Sequence, residues 1–255
     1  MEALRAEGLF KYFGGVCTLN NVSFKAEVGE RLAVIGPNGA GKTTLFNVID
    51  GQLATDGGYV FFLGQDITHL PAHRRVHLGL ARSFQVTTLF FDLTVLNNVL
   101  LAIHGTQRSR FELFRPITSY RYLYDKAHEW LEFMDLWNQK DELVKALSYG
   151  EQRKLEIAVS MAANPKLLLL DEPSCGLTTV ESDDISARIR RLGSDITVIL
   201  IDHDLDLVFG VADRIIVLNH GQIITMGTCT EVRRDPRVRE IYMGSKAVSG
   251  DVETG

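Results

Sequence analysis

Cysteine is scarce in this chain: Cys17, Cys175 and Cys229 lie far apart, with no C-x-x-C pair among them. An odd, scattered set excludes a disulfide framework and a thiolate zinc site, and reads as small apolar side chains in a reducing compartment. Long apolar runs are missing too. The longest, at 167–170 and 196–201, fall far short of the roughly 20 residues that span a bilayer. The opening residues 1–7 hold no apolar signal core, so a chain soluble by itself is expected. Nor is there an excess of positive charge. The net charge of −5 argues against general nucleic-acid binding and confines any polyanion site to a local patch. At 255 residues and 45% apolar content, there is enough material for one large domain, or a core carrying a subdomain.

What is present is more specific. Gly36-Pro37-Asn38-Gly39-Ala40-Gly41-Lys42-Thr43 matches the phosphate-binding pattern G-x-x-x-x-G-K-[ST] in full. The glycines let successive backbone N–H groups turn around a phosphate, the lysine reaches the β and γ phosphates, and the threonine hydroxyl suits Mg²⁺. An apolar run at 31–35 precedes the loop, and apolar residues at helical spacing follow from Thr44. The loop therefore lies between a strand end and a helix N-terminus, where the helix dipole favours an anion. Residues 36 to 44, Thr44 included, are expected to hold a nucleoside triphosphate.

Strand-like runs at 8–13, 22–26, 32–35 and 59–63 occupy the first part of the chain. From about 95 to 163 the spacing becomes helical. Strands then return at 167–170, 197–201 and 214–218, alternating with helices near 180–192 and 204–212. Such alternation predicts a parallel sheet covered on both faces, with the helical block inserted as a subdomain. We expect a single domain over 1–244, with 245–255 a small, polar, flexible tail.

The run 167–170, all leucine, ends in Asp171-Glu172. Uninterrupted leucine suits a strand buried on both faces, and α/β sheets place ligands at strand C-termini. Asp171 there can orient Mg²⁺ through water beside Thr43, and Glu172 can polarise an attacking water.

Leu147-Ser148-Tyr149-Gly150-Glu151-Gln152 resembles the signature of ABC-type ATPases, usually L-S-G-G-Q, with Tyr149 in the third place and Glu151 inserted before Gln152. Its physical sense is a second anion site of hydroxyl and backbone N–H groups at a helix start, built from Ser148, Gly150 and Gln152. Ser148 with Glu151 also reads as a capping box. Other markers follow in the family's order. Arg82-Ser83-Phe84-Gln85 resembles the Q-loop, which implies that Gln85 contacts Mg²⁺ and water. His203 resembles the switch histidine that reaches the γ-phosphate. Phe13 resembles the aromatic that stacks on adenine, with Tyr12 as its rival.

The resemblance runs from about residue 4 to 244 and is closest to the ATPase subunits of branched-chain amino-acid uptake transporters. Three stretches carry it: Tyr149 within 147–158, the run 81–95, and the ending 235–244. It implies an α/β P-loop NTPase core of ABC type, with a small N-terminal β-subdomain and an inserted α-helical subdomain. It also implies ATP and Mg²⁺ as cofactors, with Thr43, Gln85 and Asp171 at the metal and Glu172, His203 and Gln85 at the chemistry. ATP would be sandwiched in a homo- or hetero-dimer with a sister ABC ATPase, beneath transmembrane permease subunits served by a separate substrate-binding protein. The chain would then sit peripherally on the cytoplasmic face of the plasma membrane, with no nucleic-acid partner. Related urea, aromatic-acid or lipid transporters, and soluble ABC ATPases, are the alternatives.

Two positions depart from the family pattern: Thr178, where Asp or Asn is usual, and Asp202, where Glu is frequent. The insert near 105–126 interleaves Arg and Lys with Phe and Tyr. That mixture suits a protein surface or a headgroup layer before it suits single-stranded nucleic acid. Among Leu89, Phe90 and Phe91, at least one is expected to be exposed and to line a groove for the permease.

Overall fold

The computed structural model describes residues 1–83, 89–106 and 121–241. Two sheets organise it. A four-stranded antiparallel sheet has the order β2-β1-β4-β5, formed by β1 (Glu2–Phe13), β2 (Val16–Glu27), β4 (Gly57–Phe62) and β5 (Gln65–Asp66). The second has six strands in the order β10-β9-β3-β8-β7-β6. They are β3 (Arg31–Ile35), β6 (Leu80–Ser83), β7 (Leu167–Asp171), β8 (Thr197–Ile201), β9 (Arg214–Asn219) and β10 (Gln222–Gly227). All its pairings are parallel except the edge pair β9–β10.

Because side chains alternate across a strand, the six-stranded sheet serves two cores. Leu168 and Leu170 of β7 join a cluster with Ala33, Ile35, Val198 and Leu200, while Leu167 and Leu169 join another with Leu32, Val34, Ile199 and Ile201. The first cluster extends into the helices α3 (Val95–Thr106), α4 (Arg121–Phe133), α5 (Tyr149–Ala162), α6 (Thr179–Arg191) and α7 (Leu205–Val211). The second is shared with the antiparallel sheet and α1 (Lys42–Asp50). Burial on both faces explains why β7 carries four leucines without polar alternation.

The series of elements runs past residue 218, where the sequence pattern stopped. Asn219 pairs with Gln222 across a two-residue loop, with φ of 45° at His220 and 74° at Gly221. Positive φ at both positions is what a type I′ hairpin needs. The loop Leu63-Gly64 between β4 and β5 repeats the device, with φ of 49° and 81°. Two further helices, α2 (Ala72–Leu78) and α8 (Cys229–Arg234), complete the fold. Arg75 of α2 is fully buried; its guanidinium donates to Val48 O (2.8 Å) and Ile49 O (2.6 Å), so it holds the C-terminal turn of α1. Among the described residues no helix is long and apolar enough to cross a membrane.

Candidate nucleotide site

The strand order sets the site. β3, β8, β7 and β6 are consecutive neighbours in the sheet, and their parallel C-termini lead into Gly36, His203, Asp171-Glu172 and the segment of Gln85 respectively. Gln85 itself lies outside the described residues. A cavity of about 190 Å³ opens at this edge, lined by residues 38–44 of the phosphate loop together with Thr18, Glu172 and His203. Thr18 comes from β2 and carries no sequence signal of its own.

The loop's local chemistry favours an anion. Helix α1 starts at Gly41 with no side-chain cap, whereas α5, α6 and α8 each begin with a complete capping box. Its first N–H groups are thus left for a ligand, and the dipole reinforces them. Gly41 has φ of 102°, and a Cβ there would stand 2.5 Å from Thr18 O. Only glycine fits. Lys42 is buried, and its ammonium donates to Gly36 O (2.7 Å) and Pro37 O (3.1 Å). An ammonium has three donors, so one is left for a phosphate. Burial lowers the pKa of Lys42, while the carboxylates of Glu172 and Asp171 act to raise it.

On the acidic side, His203 Nε2 and Glu172 Oε1 are 2.9 Å apart, with His203 about half exposed. Asp171 is 1% exposed, and its Oδ2 accepts from Arg82 Nη2 at 2.6 Å. The same guanidinium reaches Asp50 Oδ2 (2.5 Å) and Asn47 Oδ1 (2.7 Å) on α1. Arg82 thereby ties the phosphate-loop helix to the acidic strand end. Burial raises the Asp50 pKa, and the bonds from Gln52 N–H and Arg82 oppose that shift.

The donor set fits Mg²⁺. Among the described residues no three His, Cys, Asp or Glu side chains cluster as a metal cage. Mg²⁺ needs none, since it keeps several waters and takes one or two protein ligands with substrate phosphates. Thr43 in the loop and the Asp171 oxygen not taken by Arg82 match that requirement.

The signature segment packs against the residues that follow β7. Ser148 caps α5, and its box partner Glu151 accepts from Ser148 N–H at 2.8 Å. The capping-box reading therefore holds for this chain. Gln152 Nε2 donates to Leu147 O (3.0 Å). Gly150 packs closely on the α6 capping residue, since a Cβ there would meet the carboxylate end of Glu181 (Oε1 at 2.3 Å). Thr178 caps α6, with Glu181 completing the box. A threonine thus does at this turn the capping work that Asp or Asn would do. Asp202 is buried and accepts from Ser174 N–H (2.9 Å), Ser174 Oγ (2.5 Å) and Asp204 N–H (2.9 Å), which fixes the start of the same segment.

Tyr12 and Phe13 are each about half exposed at the end of β1. Tyr12 lies parallel to Phe10, with ring centroids 6.5 Å apart, whereas Phe13 faces the Lys11 ammonium at 5.8 Å. Neither lines the phosphate cavity. Leu89 is buried, while Phe90 and Phe91 are 60% and 41% exposed. A separate apolar cleft of about 260 Å³ is lined by Val76, Leu80, Ala81, Arg82, Ala102 and Val159, not by those aromatics. Buried Asn98 braces the Phe90 backbone, accepting from its N–H (2.8 Å) and donating to its O (3.1 Å). No motif pointed to Asn98 or Asp50, and only their contacts reveal them.

A parallel sheet whose central strand feeds an uncapped, glycine-rich loop, with an acid pair on the second strand away, defines a P-loop nucleoside triphosphatase. Within that class the chain belongs to the ABC transporter family, whose model matches residues 19–175, and it is one of the family's ATPases. It is 39% identical over 248 residues to the high-affinity branched-chain amino acid transport ATP-binding protein BraF of Pseudomonas aeruginosa, covering 94% of this chain and 97% of that protein. Among solved structures it is similar to the ADP conformation of MJ1267, an ATP-binding cassette of an ABC transporter. That match has 36% identity and a TM-score of 0.85, over 96% of this chain and 99% of the other. A dimeric post-hydrolysis state of the cassette MJ0796, bound to ADP and Pi, matches at 25% identity with a TM-score of 0.76, over 88% of this chain and 98% of the other.

Proposed function

We propose that this chain is the ATP-hydrolysing subunit of an importer for branched-chain or related amino acids. The observation that carries the chemistry is one cavity shared by the phosphate loop, Glu172 and His203. Lys42 and the first N–H groups of α1 bind the β and γ phosphates of ATP. Thr43 and Asp171, with Gln85, would hold Mg²⁺, which would neutralise charge on the phosphate oxygens. Glu172 polarises the attacking water and accepts its proton. His203, in contact with Glu172, orients that carboxylate and faces the γ-phosphate. Phe13, half exposed with the Lys11 ammonium near its ring, is the aromatic offered to adenine, since Tyr12 lies against Phe10.

The amino-acid cargo is read across from BraF-type relatives, and a two-subunit sandwich from the dimeric ADP- and Pi-bound cassette. Ser148 at the N-terminus of α5 then meets ATP held by the sister subunit. Phe90 and Phe91, exposed on a braced backbone, suit contact with a permease at the cytoplasmic membrane face, and a separate binding protein delivers cargo. The test is uptake of labelled leucine into vesicles containing the chain and the membrane subunits with which it co-purifies. ATP-driven uptake that Lys42→Ala abolishes is expected. ATP-driven uptake of other solutes but not of branched-chain amino acids would overturn the cargo. Undiminished uptake with Lys42→Ala would overturn the motor.

A further inference from the structure

Glu172 has a left-handed backbone, with φ of 49°. Sterics disfavour this conformation for any residue with a side chain, so it persists only where the surroundings over-determine it, and such positions gather at functional sites. Backbone bonds supply part of that constraint, from Glu172 N–H to Ile201 O (2.8 Å) and from Cys175 N–H to Glu172 O (3.1 Å), and one buried side chain adds three more. Arg153, on the second turn of α5, is 5% exposed. Its guanidinium donates to Asp171 O (3.0 Å), to Glu172 O, and to Pro173 O (3.3 Å). Three consecutive carbonyls on one planar fork fix the path of the chain through Glu172. Glu156, equally buried one turn on, holds the fork from behind at 2.5 Å.

We propose that Arg153 is a positioning residue for ATP hydrolysis: it clamps the left-handed turn that aims the Glu172 carboxylate at the cavity and at His203. The proposal rests on Glu172 polarising the attacking water, as read above. It also gives the signature helix a second task. Tyr149 packs on Gly176, where a Cβ would be 2.8 Å from its ring, and Gly150 packs on Glu181. With Arg153, these contacts pack the start of α5 against residues 171–181, so Ser148 lies on the element that braces Glu172. A lysine in place of Arg153 would keep the charge but has no planar fork to span three carbonyls.

The test uses the full chain with the subunits that co-purify with it. Removing Arg153 alone strands the buried Glu156 charge, so the informative variants are Arg153→Lys and the pair Arg153→Met with Glu156→Met. Both are expected to melt within a few degrees of the parent, to bind a fluorescent ATP analogue within about threefold, and to keep KM. Their kcat is expected to fall ten- to a hundredfold, the scale of a reacting group displaced by about 1 Å. Added to Glu172→Gln, the same changes are expected to lower residual turnover no further, because the group they position is already gone. Parental kcat in either variant, or the same fold-loss repeated in the Glu172→Gln background, would overturn the proposal. Glu172→Gln alone reports separately on the parent reading: full turnover there removes Glu172 from the chemistry and the positioning role with it.

Discussion

Arg82 and Asp171 face each other at 2.6 Å across neighbouring parallel strands, both almost completely buried, with Asp50 closing the other side of the guanidinium at 2.5 Å. One arginine balancing two buried carboxylates makes the acidic strand end and the phosphate-loop helix mechanically dependent on each other. The arrangement has a cost, since each charge has lost its water. That cost is tolerable only while all three partners stay.

Arg82→Met should therefore destabilise the chain by about 3–5 kcal/mol, because two carboxylates are left unpaired. At roughly 2–4 °C per kcal/mol for a chain of this size, thermal melting should drop by about 10 °C. Adding Asp50→Asn should recover part of the loss. Melting curves of the single and double variants check this, and additive losses would show that the three side chains are not one unit.

Thr178 departs from its family's usual acid or amide, yet it caps α6 as they would. Thr178→Ala should cost about 1 kcal/mol, while Thr178→Asp should be near neutral. The partner Glu181 is held below the ordinary glutamate range, first by the Thr178 N–H and then by its hydroxyl. A depressed carboxyl contributes stability above its unfolded pKa and loses it as pH falls through the folded value. The stability gap between parent and Glu181→Gln should thus be open at neutral pH and close in acid. Denaturant titrations across that range decide it.

Contiguous motifs were legible in the sequence because each is read by one ligand patch. The phosphate loop, the leucine strand ending in Asp171-Glu172 and the serine at the start of α5 all depend on neighbours along the chain. The bracing was not legible. Arg82 reaches Asp50 and Asp171, and Arg153 reaches the end of β7, over sequence separations that no local pattern spans. β10 was missed because Gln222–Gly227 is an edge strand with no fully buried position. The signal that would have found it is the Asn219-His220-Gly221 turn. β6, only four residues long, was hidden by its shortness and by Arg82 and Ser83, polar residues buried for their contacts.

Phe90 is a large apolar side chain held out to solvent by a backbone that Asn98 pins. Phe90→Ser should leave melting within about 0.5 kcal/mol of the parent, as for other surface changes, and leave ATP binding by the isolated chain unchanged. Coupled uptake should fall sharply. Uptake equal to that of the parent at equal expression would remove Phe90 from the permease contact.

In the proposed reaction Glu172 polarises the water that attacks ATP held on the loop of Lys42. The most direct test of that role is single-turnover hydrolysis by Glu172→Gln in the assembled complex, beside a nucleotide-binding titration and a sizing experiment in ATP. Binding close to that of the parent is expected, with a rate lower by about 10²–10⁴, the range of general-base catalysis, and accumulation of an ATP-bound dimer. Hydrolysis at the parental rate, with no trapped dimer, would contradict that role.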